Sequence, residues 1–221
     1  MSMSIIKRYQ LLIILVAVLI MGVGCETTSN LSPVATVSGA TVVTSTVIAT
    51  TTISSSPFVP PLDQALSRIT KKPFGIFIVP STSPVQPERF HGYHTGVDFE
   101  TFSDEQNIVV AVHAICDGKL LRRAWANGYG GMVVEACTFN KEPITVVYGH
   151  LNIASVTVKI GENLTVGDTI GMLGKGFSTE TDGERKHLHL GIHIGASVDA
   201  RGYVATKSEL RAWVDFAQYL K

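Results

Sequence analysis

Four of the seven histidines fall in three short segments whose residue types could together hold a metal ion. The segments are His94-Thr95-Gly96-Val97-Asp98, Tyr148-Gly149-His150-Leu151 and His187-Leu188-His189-Leu190. A catalytic zinc site takes three protein ligands from His, Asp, Glu or Cys and leaves a fourth position for water. His94, Asp98 and one histidine of the third segment would supply two nitrogens and one carboxylate. This set indicates hydrolysis by a metal-activated water.

The spacing within the third segment favours a strand that carries two functional groups. Residues two apart on a strand point to the same face, so His187 and His189 would look into one groove while Leu188 and Leu190 face the core. Two polar rings on one face fit an apolar core badly. One histidine could bind the metal while the other acts as a general base beside the water.

In this order the segments resemble the signatures of lysostaphin-type zinc endopeptidases, which act on murein. Those signatures are an early His-x-x-x-Asp, a central Tyr-x-His-Leu and a late His-x-His. The resemblance extends from about Lys72 to the end of the chain. Its supporting stretches are Arg89 to Phe99, Ala114 to Leu120 and Gly161 to Gly174.

The resemblance implies a role for each matching residue. His94, Asp98 and His189 become the zinc ligands, and His187 and His150 become the catalytic histidines. His187 would accept the proton of the water, and His150 would orient the water or stabilise the oxyanion. The sequence leaves open the exchange of these two roles.

Two positions depart from the family pattern. Gly191 stands where the family commonly has Glu or Gln, and Phe216 stands where Val-Asp-Pro is usual. Neither position belongs to the proposed ligand set, so the departures bear on specificity more than on activity.

Four further residues have weaker assignments. His193 would line the groove if its strand runs straight, and Tyr129 lies in a glycine-rich loop that could border the cleft. His91 is interpreted as a rim residue and His113 as a strand residue without an assigned task.

Short apolar runs separated by turn residues predict an all-β fold, an antiparallel β-sandwich or barrel-like domain with a short C-terminal helix. The helix is predicted over Lys207 to Leu220 from apolar residues at three-to-four-residue spacing. The predicted strands are Asn107–Ile115, Leu120–Trp125, Met132–Cys137, Ile144–Tyr148, Ser155–Lys159, Thr169–Leu173 and His187–Ile194.

The N-terminal residues predict export. Lys7 and Arg8 precede an apolar run that ends before Cys25, and this pattern is typical of a secretory signal. Cys25 after Gly24 resembles a lipobox, which implies lipidation of that cysteine; an ordinary signal with an incidental Cys25 is the alternative. Residues 1–25 are therefore interpreted as an export segment, 26–59 as a Ser/Thr-rich flexible tether and 60–221 as the zinc peptidase domain.

The export prediction places Cys116 and Cys137 in a compartment that permits disulfides. A disulfide between them and two buried free thiols both fit the sequence, and we favour the free thiols.

The balance of 18 basic and 18 acidic residues gives no electrostatic reason to expect a nucleic-acid partner. The leading hypothesis is a zinc endopeptidase that hydrolyses cross-links or stem peptides of bacterial peptidoglycan. It would work in the cell envelope, anchored to the membrane through the N-terminal segment or a lipid on Cys25. The alternatives are a catalytically silent family member that activates another cell-wall hydrolase and a zinc peptidase that acts on secreted proteins. The sequence does not indicate the oligomeric state.

Overall fold

The computed structural model describes residues 56–221, which fold into antiparallel β-sheets with two four-residue helices. The predicted all-β class is confirmed. The predicted export segment and all but the last four residues of the predicted tether lie outside the described residues. The helices are α1 (Ala65–Arg68) and α2 (Lys207–Leu210). The strands are β1 (Phe77–Ile78), β2 (Gly92–His94), β3 (Gly96–Glu100), β4 (Ala111–His113), β5 (Gly118–Ala126), β6 (Gly130–Phe139), β7 (Glu142–Asn152), β8 (Asn163–Leu164), β9 (Thr169–Leu173), β10 (His187–Ile194), β11 (Tyr203–Val204) and β12 (Trp213–Val214).

Nine strands form the large sheet, and β10 occupies its functional centre. The main order is β12-β10-β7-β6-β5-β8, with β9 pairing β4 and β7. Strand β3 pairs with residues 187–191 of β10, and β12 pairs with residues 192–193 along the same edge. A separate sheet has the order β1-β2-β11. Between the described residues 56 and 221, no helix is long and apolar enough to cross a membrane.

Alternation along β3 and β10 explains why these strands form and how they face. Val97 and Phe99 of β3 and Leu188 and Leu190 of β10 are at most 1% exposed and belong to one core cluster. The residues between them therefore point to the opposite face of the sheet. Burial of these apolar side chains, each worth about 1.5–3 kcal/mol, fixes the register against a one-residue slip.

The predicted helix over Lys207 to Leu220 is wrong beyond its first turn. Helix α2 covers only Lys207–Leu210, with Thr206 as an N-cap whose side chain accepts a hydrogen bond from the Glu209 amide. Trp213 and Val214 then pair with β10, because β3 leaves the end of that strand edge unpaired. The helical spacing of the apolar residues was thus a poor guide where a sheet edge was available.

Two strand predictions also change. Only Ala111–His113 of the predicted strand Asn107–Ile115 forms a strand. The predicted strand Ser155–Lys159 is wrong, because a 3-10 turn over Ile153–Ser155 precedes a segment without strand pairing. The predictions Thr169–Leu173 and His187–Ile194 match β9 and β10 in full.

Cys116 and Cys137 form a disulfide, so the favoured expectation of two free thiols is wrong. Their Cα atoms lie 6.3 Å apart, and both residues are buried. The bond joins the turn before β5 to β6. Two neighbouring thiols on adjacent elements can pair only when their backbones approach this closely, which sequence spacing does not reveal.

Candidate metal centre and catalytic cleft

Three buried side chains meet on the groove face of β3 and β10. Asp98 and His189 are directly opposite each other in the β3–β10 register, and His94 comes from the end of β2. The Nε2 of His94 lies 3.0 Å from the Nδ1 of His189 and 3.3 Å from the Oδ1 of Asp98. The Nδ1 of His189 lies 3.1 Å from the same Oδ1. The three predicted ligands therefore form a compact triangle of donor atoms.

The triangle fits a tetrahedral ion in both size and chemistry. Ligands at about 2.0–2.1 Å from zinc in a tetrahedron are separated from one another by about 3.3–3.4 Å. The Nδ1–H of His94 donates to the Pro73 carbonyl oxygen at 3.3 Å, which leaves the Nε2 lone pair facing the triangle. These residues would hold the metal through His94 Nε2, Asp98 Oδ1 and His189 Nδ1.

Protonation of the triangle also suits a metal. Burial lowers the pKa of His189 to about 4, although its hydrogen bond to Asp98 opposes this. Burial alone would raise the pKa of Asp98, but the charges of His187 and His94 and the histidine hydrogen bonds outweigh it and hold the pKa well below its ordinary value. Neutral imidazole and ionised carboxylate are the forms that bind a divalent cation.

Close backbone approach makes room for the His189 ring. A Cβ at Gly96 would lie 2.5 Å from the Leu190 carbonyl oxygen and 2.7 Å from the His189 ring. A Cβ at Gly149 would lie 2.4 Å from the Tyr129 ring, which itself packs edge-on against His189 at 5.2 Å between centroids. Real Cβ atoms do not come this close, so only glycine fits at these two positions.

The two predicted catalytic histidines lie side by side at the same site. The ring centroids of His150 and His187 are 4.2 Å apart, and both residues are buried. The Nδ1–H of His187 donates to the Arg185 carbonyl oxygen at 2.8 Å. The Nε2 of His187 then carries a lone pair and lies 3.3 Å from the Oδ2 of Asp98. His187 thus has the tautomer that a proton acceptor at the site requires.

A β-bulge aims His150 at the site. The register of β6 and β7 shifts so that Gly131 pairs with Leu151 while Met132 pairs with Gly149, which leaves His150 as the extra residue. Its φ of 65° lies in the left-handed region, which costs a non-glycine residue about 1–3 kcal/mol. Burial, followed by the charge of His187, lowers the pKa of His150 well below its ordinary value, so its ring is neutral.

The five residues line a cleft of about 290 Å³, except that His94 lies below its floor. Tyr129 contributes to the wall, as the sequence analysis anticipated for its loop. The other weakly assigned histidines lie elsewhere. His193 packs against Trp213 at 5.0 Å, His91 packs against Phe77 at 5.1 Å, and the Nδ1 of His113 lies 3.1 Å from the Gly167 carbonyl oxygen.

Sequence reasoning missed three cleft residues. Arg185 binds both Asp98 and Glu100, and Tyr203 packs its ring on His94 at 5.2 Å. The Nζ of Lys72 donates to the Tyr203 hydroxyl at 3.0 Å. Strand alternation could have found Arg185, because it lies two residues before His187 and shares its face. The other two come from segments whose position depends on the tertiary fold.

Residues 92–200 match the model of peptidase family M23. The domain belongs to peptidase family M23. This confirms the resemblance to lysostaphin-type peptidases, and the match contains every residue of the proposed site. Outside this family model, no curated protein sequence matches the chain.

Solved structures similar to the M23 domain include three described peptidases and relatives. The catalytic domain of the antimicrobial peptidase lysostaphin from Staphylococcus simulans is 22% identical with a TM-score of 0.48, covering 72% of this chain and 97% of that one. LytU is 25% identical with a TM-score of 0.42, covering 69% and 90%. A zinc-containing peptidase from Vibrio cholerae is 23% identical with a TM-score of 0.39, covering 61% of this chain and 36% of that one.

Proposed function

We propose that this M23 domain is a zinc-dependent endopeptidase that hydrolyses peptide bonds in bacterial peptidoglycan, either cross-links or stem peptides. The observation that carries the proposal is the triangle of His94, Asp98 and His189 with His187 and His150 beside it. The family assignment supports peptide-bond hydrolysis, and the murein-acting signatures of the sequence support the substrate. The cleft beside these residues gives a peptide access to the reacting groups.

Bound zinc would supply a Lewis acid that acidifies water and polarises the scissile carbonyl. His187 takes the proton of the attacking water on Nε2, because its Nδ1–H is committed to the Arg185 carbonyl. Water adds its oxygen to the carbonyl carbon, the C–N bond breaks, and the proton held by His187 passes to the departing amine. His150 stays neutral and orients the water or stabilises the oxyanion. Removal of either histidine should lower the rate about 10²- to 10⁴-fold.

The proposal includes delivery to the cell envelope. The sequence of residues 1–25 supports export, and a lipid on Cys25 would tether the domain to the membrane within reach of peptidoglycan. A Cys25→Ser variant should lose metabolic labelling by fatty acid and appear in the soluble fraction. Continued labelling and membrane association of this variant would contradict the lipid anchor.

Digestion of purified peptidoglycan tests the activity. The wild-type chain should contain one zinc per molecule and release fragments with new amino termini. His187→Ala should abolish release while it retains zinc, and His113→Ala is the matched control because that histidine lies outside the site. Cleavage of free peptides but never of peptidoglycan would refute the substrate. A zinc-free protein without cleavage would refute the enzyme and favour a silent activator.

A further inference from the structure

Arg185 is a buried guanidinium that holds two carboxylates at once. Its Nη2 donates to Asp98 Oδ2 at 2.9 Å, and its Nε donates to both Glu100 oxygens at 3.0 and 2.8 Å. Nη2 also donates to Glu100 Oε1. The side chains are only 10%, 3% and 11% exposed for Arg185, Asp98 and Glu100, so these hydrogen bonds are shielded from competing water.

The bond from Arg185 separates the tasks of the two Asp98 oxygens. Oδ1 faces His94 and His189 in the donor triangle, whereas Oδ2 is held by Arg185. A carboxylate with one oxygen held in this way can offer a metal only the other oxygen. The planar fork of Arg also fixes the rotation of the carboxylate, which a single point charge would not do.

Glu100 solves the electrostatic problem that a lone Arg185 would create. A buried guanidinium beside Asp98 would cancel the ligand charge and weaken attraction for a cation. Glu100 neutralises Arg185, so that the group of three keeps one net negative charge. The Nζ of Lys71 lies 3.5 Å from Glu100 Oε2, but Lys71 is 43% exposed and its charge is screened by solvent.

Strand pairing builds this arrangement. Asp98 and Glu100 lie two apart on β3, and Arg185 precedes β10, whose His187 and His189 pair opposite Glu100 and Asp98. The Arg185 backbone carbonyl accepts the His187 Nδ1–H as well. One residue therefore contacts a proposed metal ligand through its side chain and the proposed base through its backbone.

We propose that Arg185, held by Glu100, is a positioning residue that keeps Asp98 as a one-oxygen ligand of the zinc ion. This inference rests on the proposed function, because it assumes that the donor triangle binds zinc. Hydrogen-bonding partners of metal ligands typically change metal affinity about 10- to 100-fold when they are removed.

The test is a double variant, Arg185→Met with Glu100→Gln, which removes the pair without leaving one buried charge alone. Its zinc dissociation constant, measured by competition with a chromophoric chelator, should rise about 10- to 100-fold. The matched control is Arg68→Met with Glu105→Gln. Arg68 and Glu105 form a two-bond pair at 2.6 and 2.8 Å whose side chains do not contact Asp98. Thermal unfolding of the zinc-free proteins separates loss of affinity from loss of folding.

Two further measurements examine the geometry itself. In cobalt-loaded protein, release of Asp98 Oδ2 should add a ligand atom and weaken the visible absorption bands of a tetrahedral site. Arg185→Lys keeps the charge but loses the fork, so its zinc affinity should fall between wild type and the double variant.

The outcomes are distinguishable. A wild type that binds no zinc overturns the proposed function and this inference together. A wild type that binds zinc and a folded double variant with unchanged affinity overturn only the positioning role. An Arg185→Lys variant with wild-type affinity would show that charge, and not the fork, is responsible, and would overturn the one-oxygen arrangement.

Discussion

Glu135 is a carboxylic acid in the core, and replacing it with Gln should remove a pH-dependent loss of stability. Its side chain has no exposure to solvent, and its Oε2 accepts a hydrogen bond from the Tyr148 hydroxyl at 2.7 Å. That hydroxyl also accepts from the Ile115 amide at 3.0 Å. Among residues 56–221, the Oε1 of Glu135 has no hydrogen-bond partner. The protein therefore has little means of stabilising a negative charge here.

The structure sets the size and the direction of the effect. Burial raises the pKa of Glu135 to about 7, the Tyr148 hydrogen bond opposes this, and the charges of Asp117 and Asp168 reinforce it. Because the pKa is higher in the folded state, the contribution to stability is complete below about pH 4.5 and is lost as the pH rises through about 7. A difference of about 2.5 between the two pKa values corresponds to roughly 3 kcal/mol.

Glu135→Gln keeps the shape and the oxygen that accepts from Tyr148, but it cannot ionise. At pH 5 the variant and the wild type should have free energies of unfolding within about 1 kcal/mol. At pH 8 the variant should be more stable by up to about 3 kcal/mol. Urea unfolding of zinc-free protein at several pH values, with the disulfide intact, measures the difference without metal linkage.

Glu142→Gln is the matched control, since Glu142 is an exposed glutamate at the start of β7. Its free energy of unfolding should follow the wild type at every pH. If Glu135→Gln also followed the wild type, or lost stability at pH 8, Glu135 would have to be ionised and stabilised in the folded protein, and the reasoning from burial would be refuted.

Three further predictions follow from close packing, covalent linkage and the bulge. Gly96→Ala should weaken zinc binding, measured by chelator competition, because the new methyl group would displace the ring of His189; unchanged affinity would contradict the packing. Replacing both Cys116 and Cys137 with Ser should cost about 3 kcal/mol in urea unfolding, given their separation of 21 residues, and a cost near zero would argue against a structural disulfide. His150→Asn, chosen because Asn tolerates positive φ, should lower kcat about 10²-fold or more with zinc retained; a variant with full activity would remove His150 from the mechanism.

Local alternation explains why the sequence predicted β10 so well. His187–Ile194 has apolar and polar residues in strict turn up to Leu190, and the buried leucines leave one orientation for the histidines. The same argument applies to Thr169–Leu173. These predictions required no knowledge of which strand lies beside which.

The errors share one physical origin, which is dependence on distant partners. The C-terminal residues have helical spacing, but Trp213 and Val214 gain more from pairing with the open edge of β10. The disulfide depends on how closely the turn before β5 approaches β6. Arg185 could be placed on a face by counting residues, whereas its carboxylate partners come from β3 and are visible only once the register is known.

The division of β10 into two faces links the stability of the domain to its chemistry. Leu188 and Leu190 fill the core from the same strand that presents His187 and His189 to the cleft, and Leu190 lies at most 1% exposed beside the Gly96 contact. A core substitution that lets β10 move would therefore shift a proposed ligand and a proposed base together. Catalytic groups on a packed strand are held more precisely than groups on loops, since every displacement must also disturb the core. The register that buries two leucines is in this sense the same register that assembles the donor triangle.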